Sequence, residues 1–83
     1  IENRLVELGI ALPAAPAAVG AYVPVLQTGN LIVTSGQLPM EAGVLTIKGK
    51  VGGNVSIEEG TRAARIAALN AIAQVKACAG SLD

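Results

Sequence analysis

Between Glu7 and Glu41 the chain carries no charged side chain, and the β-rich part of that stretch is apolar on both of its faces. Ala21 to Thr28 and Leu31 to Ser35 flank Gly29-Asn30, a dipeptide suited to a two-residue hairpin turn. That turn sets Thr28 opposite Leu31, Leu26 opposite Val33, Pro24 opposite Ser35 and Tyr22 opposite Gln37. Opposed residues share a face because side chains alternate along a strand. One face then holds Tyr22, Pro24, Leu26, Leu31, Val33 and Ser35; the other holds Val23, Val25, Ile32, Thr34 and Gly36. Both are largely apolar, so both need a cover.

A membrane span is the other way to house an uncharged stretch. Here Pro13, Pro16, Pro24 and Pro39 interrupt it, together with Gln27, Thr28, Asn30, Thr34, Ser35 and Gln37. No run of about 20 apolar residues survives, so no membrane span is expected. No basic segment leads into an apolar one at the front, so no signal peptide is expected either. The opening Ile1 in place of Met points to trimming.

With 83 residues the chain makes one small domain at most. Tyr22 is the only aromatic residue, so the core is built from Val, Leu, Ile and fifteen alanines, and it is thin. Six basic residues cancel six acidic ones. A neutral chain lacks the cationic field that binds phosphates, and no nucleic-acid partner is expected. With no His, Ser-His-Asp and Cys-His catalysis are excluded, as are imidazole metal sites. Glu41, Glu58, Glu59 and Asp83 are too scattered for a metal site. The lone Cys78 cannot form an intrachain disulfide, which fits a reducing cytoplasm.

Residues 1–16 read as a short helix over Ile1 to Leu8, stopped at Gly9, followed by a proline-punctuated strap over Ala11 to Ala18. Residues 17–83 read as strand, strand, strand, helix, an α+β arrangement. After the hairpin comes a turn from Gln37 to Met40, marked by Pro39. A third strand follows from Val44 to Ile47, then a glycine-rich connection from Lys48 to Asn54. Ser56 and Glu59 form a capping box for a helix from Ile57 to Ala79 that ends before Gly80. Ile66, Leu69, Ile72 or Ala73, and Lys76 or Ala77 recur at helical spacing as the stripe that lies on the sheet. One helix covers one sheet face only. The second face calls for chain beyond Asp83 and for further copies of the molecule, and both are expected.

Tyr22 and Ser35 are the first candidates for chemistry. In the register above they are diagonal neighbours, within about 7–8 Å. With the Gly36 backbone they either line a small ligand patch or fill a core and cap a strand end. Gly49-Lys50-Val51-Gly52 has the form of a nucleotide-clamping loop, and Gly52-Gly53 that of an anion nest. A plain connector satisfies the same residues, and Glu58 and Glu59 repel an anion there. Arg62 and Arg65 share a helix face, where Arg62 can pair with Glu58. Cys78 lies among alanines as a small core residue.

Three elements together resemble a known family: Gly20-Ala21-Tyr22, Thr28-Gly29-Asn30-Leu31, and Thr34-Ser35-Gly36-Gln37-Leu38-Pro39. Gly52-Gly53 before a capped helix and the ending Ala79-Gly80-Ser81-Leu82-Asp83 continue the match over residues 17–83. The chain is similar to the front half of the Rid, or reactive intermediate deaminase, YjgF-like family, in a divergent branch. The resemblance implies a chorismate-mutase-like fold whose sheets form a barrel in a homotrimer, with sites in the clefts between subunits. It implies hydrolysis of enamines and 2-imino acids to 2-oxo acids and ammonia, without a cofactor or metal. Tyr22 and Ser35 match the family's pocket residues, and Gly36 its ligand-facing N–H. The usual Gly-Pro-Tyr is Gly-Ala-Tyr here. The family's carboxylate-binding arginine and water-activating acid belong to the second half, so the 83 residues correspond to an incomplete domain. None of Arg4, Arg62 or Arg65 stands in that arginine's motif. A trimer that binds small molecules in the same cleft without catalysis is the alternative.

Overall fold

A computed structural model describes residues 1–83. Its longest element is the C-terminal helix, and that helix starts and stops where its sequence dictates. The last two residues of Gly53-Asn54-Val55-Ser56 lead into it, and Ser56 is its N-cap. The Ser56 hydroxyl accepts from the Glu59 N–H at 3.1 Å, and the Glu59 carboxylate accepts from the Ser56 N–H, also at 3.1 Å. Such reciprocal caps stabilise a helix by about 1 kcal/mol. Gly80 ends it in the left-handed region, at φ 84°, with its N–H on the Lys76 carbonyl. The helix, α2, therefore spans Ile57–Ala79. Its fourth residue is Gly60, because the Val51 side chain lies against it: a Cβ there would stand 2.7 Å from Val51 Cγ2.

The remaining elements are α1 (Glu2–Glu7), β1 (Val25–Thr28), β2 (Leu31–Thr34), β3 (Met40–Glu41) and β4 (Val44–Leu45), which precede α2 in that order. Strands β1 and β2 pair antiparallel in the expected register, with Leu26 opposite Val33 and Thr28 opposite Leu31. At the turn Gly29 has φ 57° while Asn30 stays at negative φ, the pattern of a II′ turn. Val25, Ile32 and Thr34 are half-buried beneath α2, whereas Leu26, Leu31 and Val33 on the opposite face are exposed. One helix has covered one face, and the other is bare.

The hairpin is shorter than its sequence suggests. Pro24 has no N–H to give a ladder, so regular pairing ends at Val25 opposite Thr34. Its carbonyl still accepts from the Ser35 N–H at 3.0 Å. Beyond that the chain bends, and the expected pair of Tyr22 with Gln37 does not form.

The third strand also takes an unexpected partner. β4 pairs with β3 in a separate two-stranded ribbon, so the turn expected at Gln37 to Met40 instead feeds a strand at Met40. The residues between them, Ala42 and Gly43, both have positive φ (51° and 80°), which is the I′ geometry that closes a tight hairpin. For Ala42 that conformation costs about 1–2 kcal/mol, and alanine gives no turn signal in a sequence. The Thr46 N–H and hydroxyl both reach the Pro39 carbonyl, at 3.1 and 2.8 Å, and extend the ribbon by one bond.

Fully buried residues are few: Val55, Ala73, Asn70 and Gln74. The core is thin, as the scarcity of aromatics requires, and half of its buried residues are amides. The most buried line of α2 therefore runs through Asn70, Ala73 and Gln74, and of the apolar stripe read from periodicity Ala73 lies on it. Ile72 in that stripe is exposed. Asn70 Nδ2 donates to the carbonyls of Leu38 and Met40 at 2.9 and 3.0 Å. One turn later Gln74 Nε2 donates to the Pro16 carbonyl at 2.6 Å, which ties the extended strap to the helix. No helix is long and apolar enough to cross a membrane.

At the far end of α2, the Glu2 carboxylate accepts from Lys76 Nζ at 2.7 Å, the Ser81 hydroxyl at 2.8 Å and the Leu82 N–H at 3.2 Å. The Lys76 bond comes first among the causes that hold the Glu2 carboxyl below its ordinary value.

Candidate functional site

The segment that leaves β2 carries the densest set of polar groups on the hairpin. Ser35 comes first and is half-buried. Its Oγ donates to the Pro24 carbonyl at 3.3 Å, beside the backbone bond from its own N–H to the same oxygen. Pro24 thus sets the hydroxyl's position, while the oxygen lone pairs remain free to accept. Gly36 is exposed, a Cβ on it would meet nothing within 4 Å, and its N–H donates to no protein group. Gln37 turns back, with Nε2 on the Ser35 carbonyl at 3.3 Å. Leu38 to Met40 is then pinned by Asn70. The Leu38 carbonyl accepts both Asn70 Nδ2 and the Met40 N–H, the latter at 2.8 Å. A hydroxyl and an unclaimed N–H stand on consecutive residues, held at one end by Pro24 and at the other by helix α2.

Tyr22 is placed differently. It lies in the bends before β1, with its ring over Gly20 and its hydroxyl accepting the Val19 N–H at 3.3 Å. No hydrogen bond joins it to Ser35. Because the ladder stops at Val25, the diagonal relation expected from an extended strand is not built. Ser35 and Gly36 stand together; Tyr22 is turned onto its own loop.

Neither of the two hollows in the chain contains these residues. An open groove of about 510 Å³ runs between Leu12 to Ala15 of the strap and Ala73, Lys76, Ala77 and Gly80 of α2. A smaller hollow of about 140 Å³ lies between Ala11 and Pro13, Met40 and Glu41, and the α2 residues Ile66, Leu69 and Asn70. Ser35 and Gly36 lie instead at the end of the bare-faced hairpin, where a concave site needs a second wall.

Other candidates resolve into structure. The amides of Lys50, Gly52, Gly53 and Val55 all donate within their own loop, to Asn54 Oδ1, Val55, Lys50 and Lys50, which leaves little to clamp a phosphate. Arg62 faces Glu41 at 3.7 Å across the surface in place of Glu58, a pair exposed on both sides and worth little. Cys78 is a half-buried free thiol in the last turns of α2. Asn70 was the residue that periodicity passed over. The available signal was an amide set next to Leu69 and repeated four residues later by Gln74, inside a helix otherwise rich in alanine.

A family described as "YjgF/chorismate_mutase-like, putative endoribonuclease" matches residues 2–83. The chain belongs to this YjgF-like family. Protein TCP17 of Trypanosoma cruzi is 39% identical over 83 residues, which are 100% of this chain and 52% of that protein. A solved structure of a "putative endoribonuclease" from Shewanella oneidensis has 44% identity and a TM-score of 0.89, over 98% of this chain and 54% of its own. Protein Atu1372 of Agrobacterium tumefaciens, described as of unknown function, has 46% identity and a TM-score of 0.78, over 96% and 48%. The chain spans about half the length of these YjgF-like relatives. The α+β architecture of hairpin, further strands and one long helix is the one shared with the solved YjgF-like structures.

Proposed function

We propose that this YjgF-like chain forms part of an enamine/imine deaminase that hydrolyses 2-imino acids at clefts between the subunits of a homotrimer. Water adds across the C=N bond of the imino acid, the C–N bond breaks, and the products are a 2-oxo acid and ammonia. The imine carbon is already electrophilic, so the protein has to orient water, carry a proton and hold the substrate carboxylate. The Gly36 N–H donates to the ligand, and the Ser35 hydroxyl, beside it, orients the water or the imine nitrogen. Tyr22 lines the same cleft once neighbouring subunits are in place. A cytoplasmic setting is part of the proposal, since the one cysteine forms no disulfide.

The observation that supports this most directly is the pairing of an unclaimed Gly36 N–H with the Ser35 hydroxyl at the end of a bare apolar hairpin. The test uses the full-length protein and a 2-imino acid released in situ by an amino-acid oxidase or threonine dehydratase. Release of 2-oxo acid and ammonia is expected to exceed the spontaneous rate, and Ser35→Ala and Tyr22→Phe are expected to lower it. Rates at the spontaneous level, or unchanged in both variants, refute the assignment.

One observation favours a second reading, a binding trimer without catalysis. No cation lies among residues 8–40; Arg4, Arg62 and Lys76 are each paired with a carboxylate, while Lys48, Lys50 and Arg65 carry no ion pair but lie outside the stretch that holds Tyr22, Ser35 and Gly36. Saturable 2-oxo acid binding with no turnover identifies that case. Cleavage of RNA, which the name of the Shewanella relative suggests, is disfavoured by a net charge of zero.

A further inference from the structure

The mechanism above uses Ser35 and Gly36 but leaves unexplained the most buried side chain of the molecule. Asn70 is 1% exposed, in the middle of α2, and an amide at such a place must find partners or destabilise the fold. Both of its N–H donors are spent on one short segment, on the carbonyls of Leu38 at 2.9 Å and Met40 at 3.0 Å. These two residues flank Pro39, which cannot donate a backbone hydrogen bond of its own. The Leu38 carbonyl has no capacity left, because the Met40 N–H takes its second lone pair at 2.8 Å.

The consequence reaches back to Gly36. Residues 35–40 are held at their two ends: Ser35 on the Pro24 carbonyl, and Leu38 with Met40 on Asn70, where Pro39 and Met40 also join the β3–β4 ribbon through Thr46 and Leu45. Between them Gly36 has open space around it and an N–H that nothing in the protein orients. A glycine so placed swings unless the anchors on both sides are rigid. The Pro24 anchor is part of the hairpin; the other is the start of the β3–β4 ribbon, which one buried side chain, Asn70, fixes to the helix.

We infer that Asn70 is a positioning residue, which aims the Gly36 N–H and the Ser35 hydroxyl by clamping Leu38 and Met40 to α2. The inference rests on the proposed role of Ser35 and Gly36 as the ligand-binding pair. Gln74 supplies an internal control. It is also buried on α2 and also donates to a backbone carbonyl, but its partner is Pro16 in the strap, outside the 35–40 segment.

The experiment compares Asn70→Ser and Gln74→Ala in the full-length protein, below the melting temperature of each. Displacing a binding group by about 1 Å lowers turnover by on the order of 100-fold. The expected outcome is a kcat loss of about 10- to 100-fold for Asn70→Ser. For Gln74→Ala, kcat stays close to wild type despite a similar loss of stability. The Gly36 amide resonance shifts in Asn70→Ser and not in Gln74→Ala. Equal kinetic losses in the two variants, or an unmoved Gly36 resonance, overturn the inference. Should Asn70→Ser fail to fold, the wild-type protein is titrated with 2-oxobutyrate. The Asn70 side-chain amide is then expected to shift together with Gly36 while the Gln74 amide stays still, and an unresponsive Asn70 amide overturns the inference. Should the wild type neither deaminate nor bind 2-oxobutyrate, the proposed function has failed. The Gly36 resonance in the two variants then decides by itself whether Asn70 aims the segment, and the inference fails if that resonance is unmoved.

Discussion

The bare face of the hairpin yields the prediction with the largest readout. Leu26 and Val33 are directly opposed on it and remain 61% and 56% exposed. Burying such a side chain fully is worth about 1.5–3 kcal/mol. The exposed fraction leaves about 1–1.8 kcal/mol on each residue for association, or about 2–3.5 kcal/mol for the pair. The double substitution Leu26→Gln with Val33→Thr removes most of this and keeps residues that fit a strand. Neither side chain points toward α2, so the subunit fold is expected to survive. At about 1.4 kcal/mol per decade, the dissociation constant of the assembled full-length protein is expected to rise on the order of 20- to 400-fold. Sedimentation velocity over a concentration series reads that change directly, with circular dichroism confirming an intact fold. An assembly of unchanged affinity, or a wild-type protein that stays monomeric at all concentrations, refutes the claim that sister copies cover this face.

Three further outcomes follow from particular contacts. The Lys76, Ser81 and Leu82 bonds hold the Glu2 carboxyl below its ordinary value of 4.5, so in that window the unfolded chain binds more protons. The stabilisation is therefore complete above that value and is lost as pH falls through the lower folded-state value; melting curves should show a steeper acid loss for wild type than for Glu2→Gln. Gly36→Ala meets no atom within 4 Å and should melt like wild type, yet under the proposed role of the Gly36 N–H as a donor to the ligand it should slow imino-acid turnover. Full activity in that variant removes Gly36 from the site. Gly60→Ala would gain up to about 1 kcal/mol of helix propensity, but its Cβ would come 2.7 Å from Val51 Cγ2. The expected net effect in chemical denaturation is no stabilisation, with the propensity gain recovered when Val51→Ala is added; a single variant stabilised by the full gain contradicts the contact.

Ser35 and Gly36 show where legibility in the sequence ended at the site. Their place just after β2 followed from the Gly29-Asn30 turn and simple alternation, and the register agrees residue by residue from Thr28 to Val25. Alternation alone extends the same ladder to Tyr22, but Pro24 intervenes, because a residue without an N–H ends the pairing that would carry Tyr22 to Gln37. Asn70 was invisible to periodicity. Its importance lies in two acceptors some thirty residues earlier, and no local pattern reports a partner that far away.

Helix α2 and the hairpin were determined by the sequence itself, since caps, turn residues and alternation act over two to four neighbours. The Ser56 and Glu59 box, Gly80 and Gly29-Asn30 all form the contacts their types predispose them to. The pairing of β4 with β3 was decided only in three dimensions, as were the burial of Asn70 and Gln74 and the choice of which hairpin face lies under the helix. Each depends on the free energy of a packed arrangement, in which a strained Ala42 or a buried amide is tolerated because distant groups satisfy it.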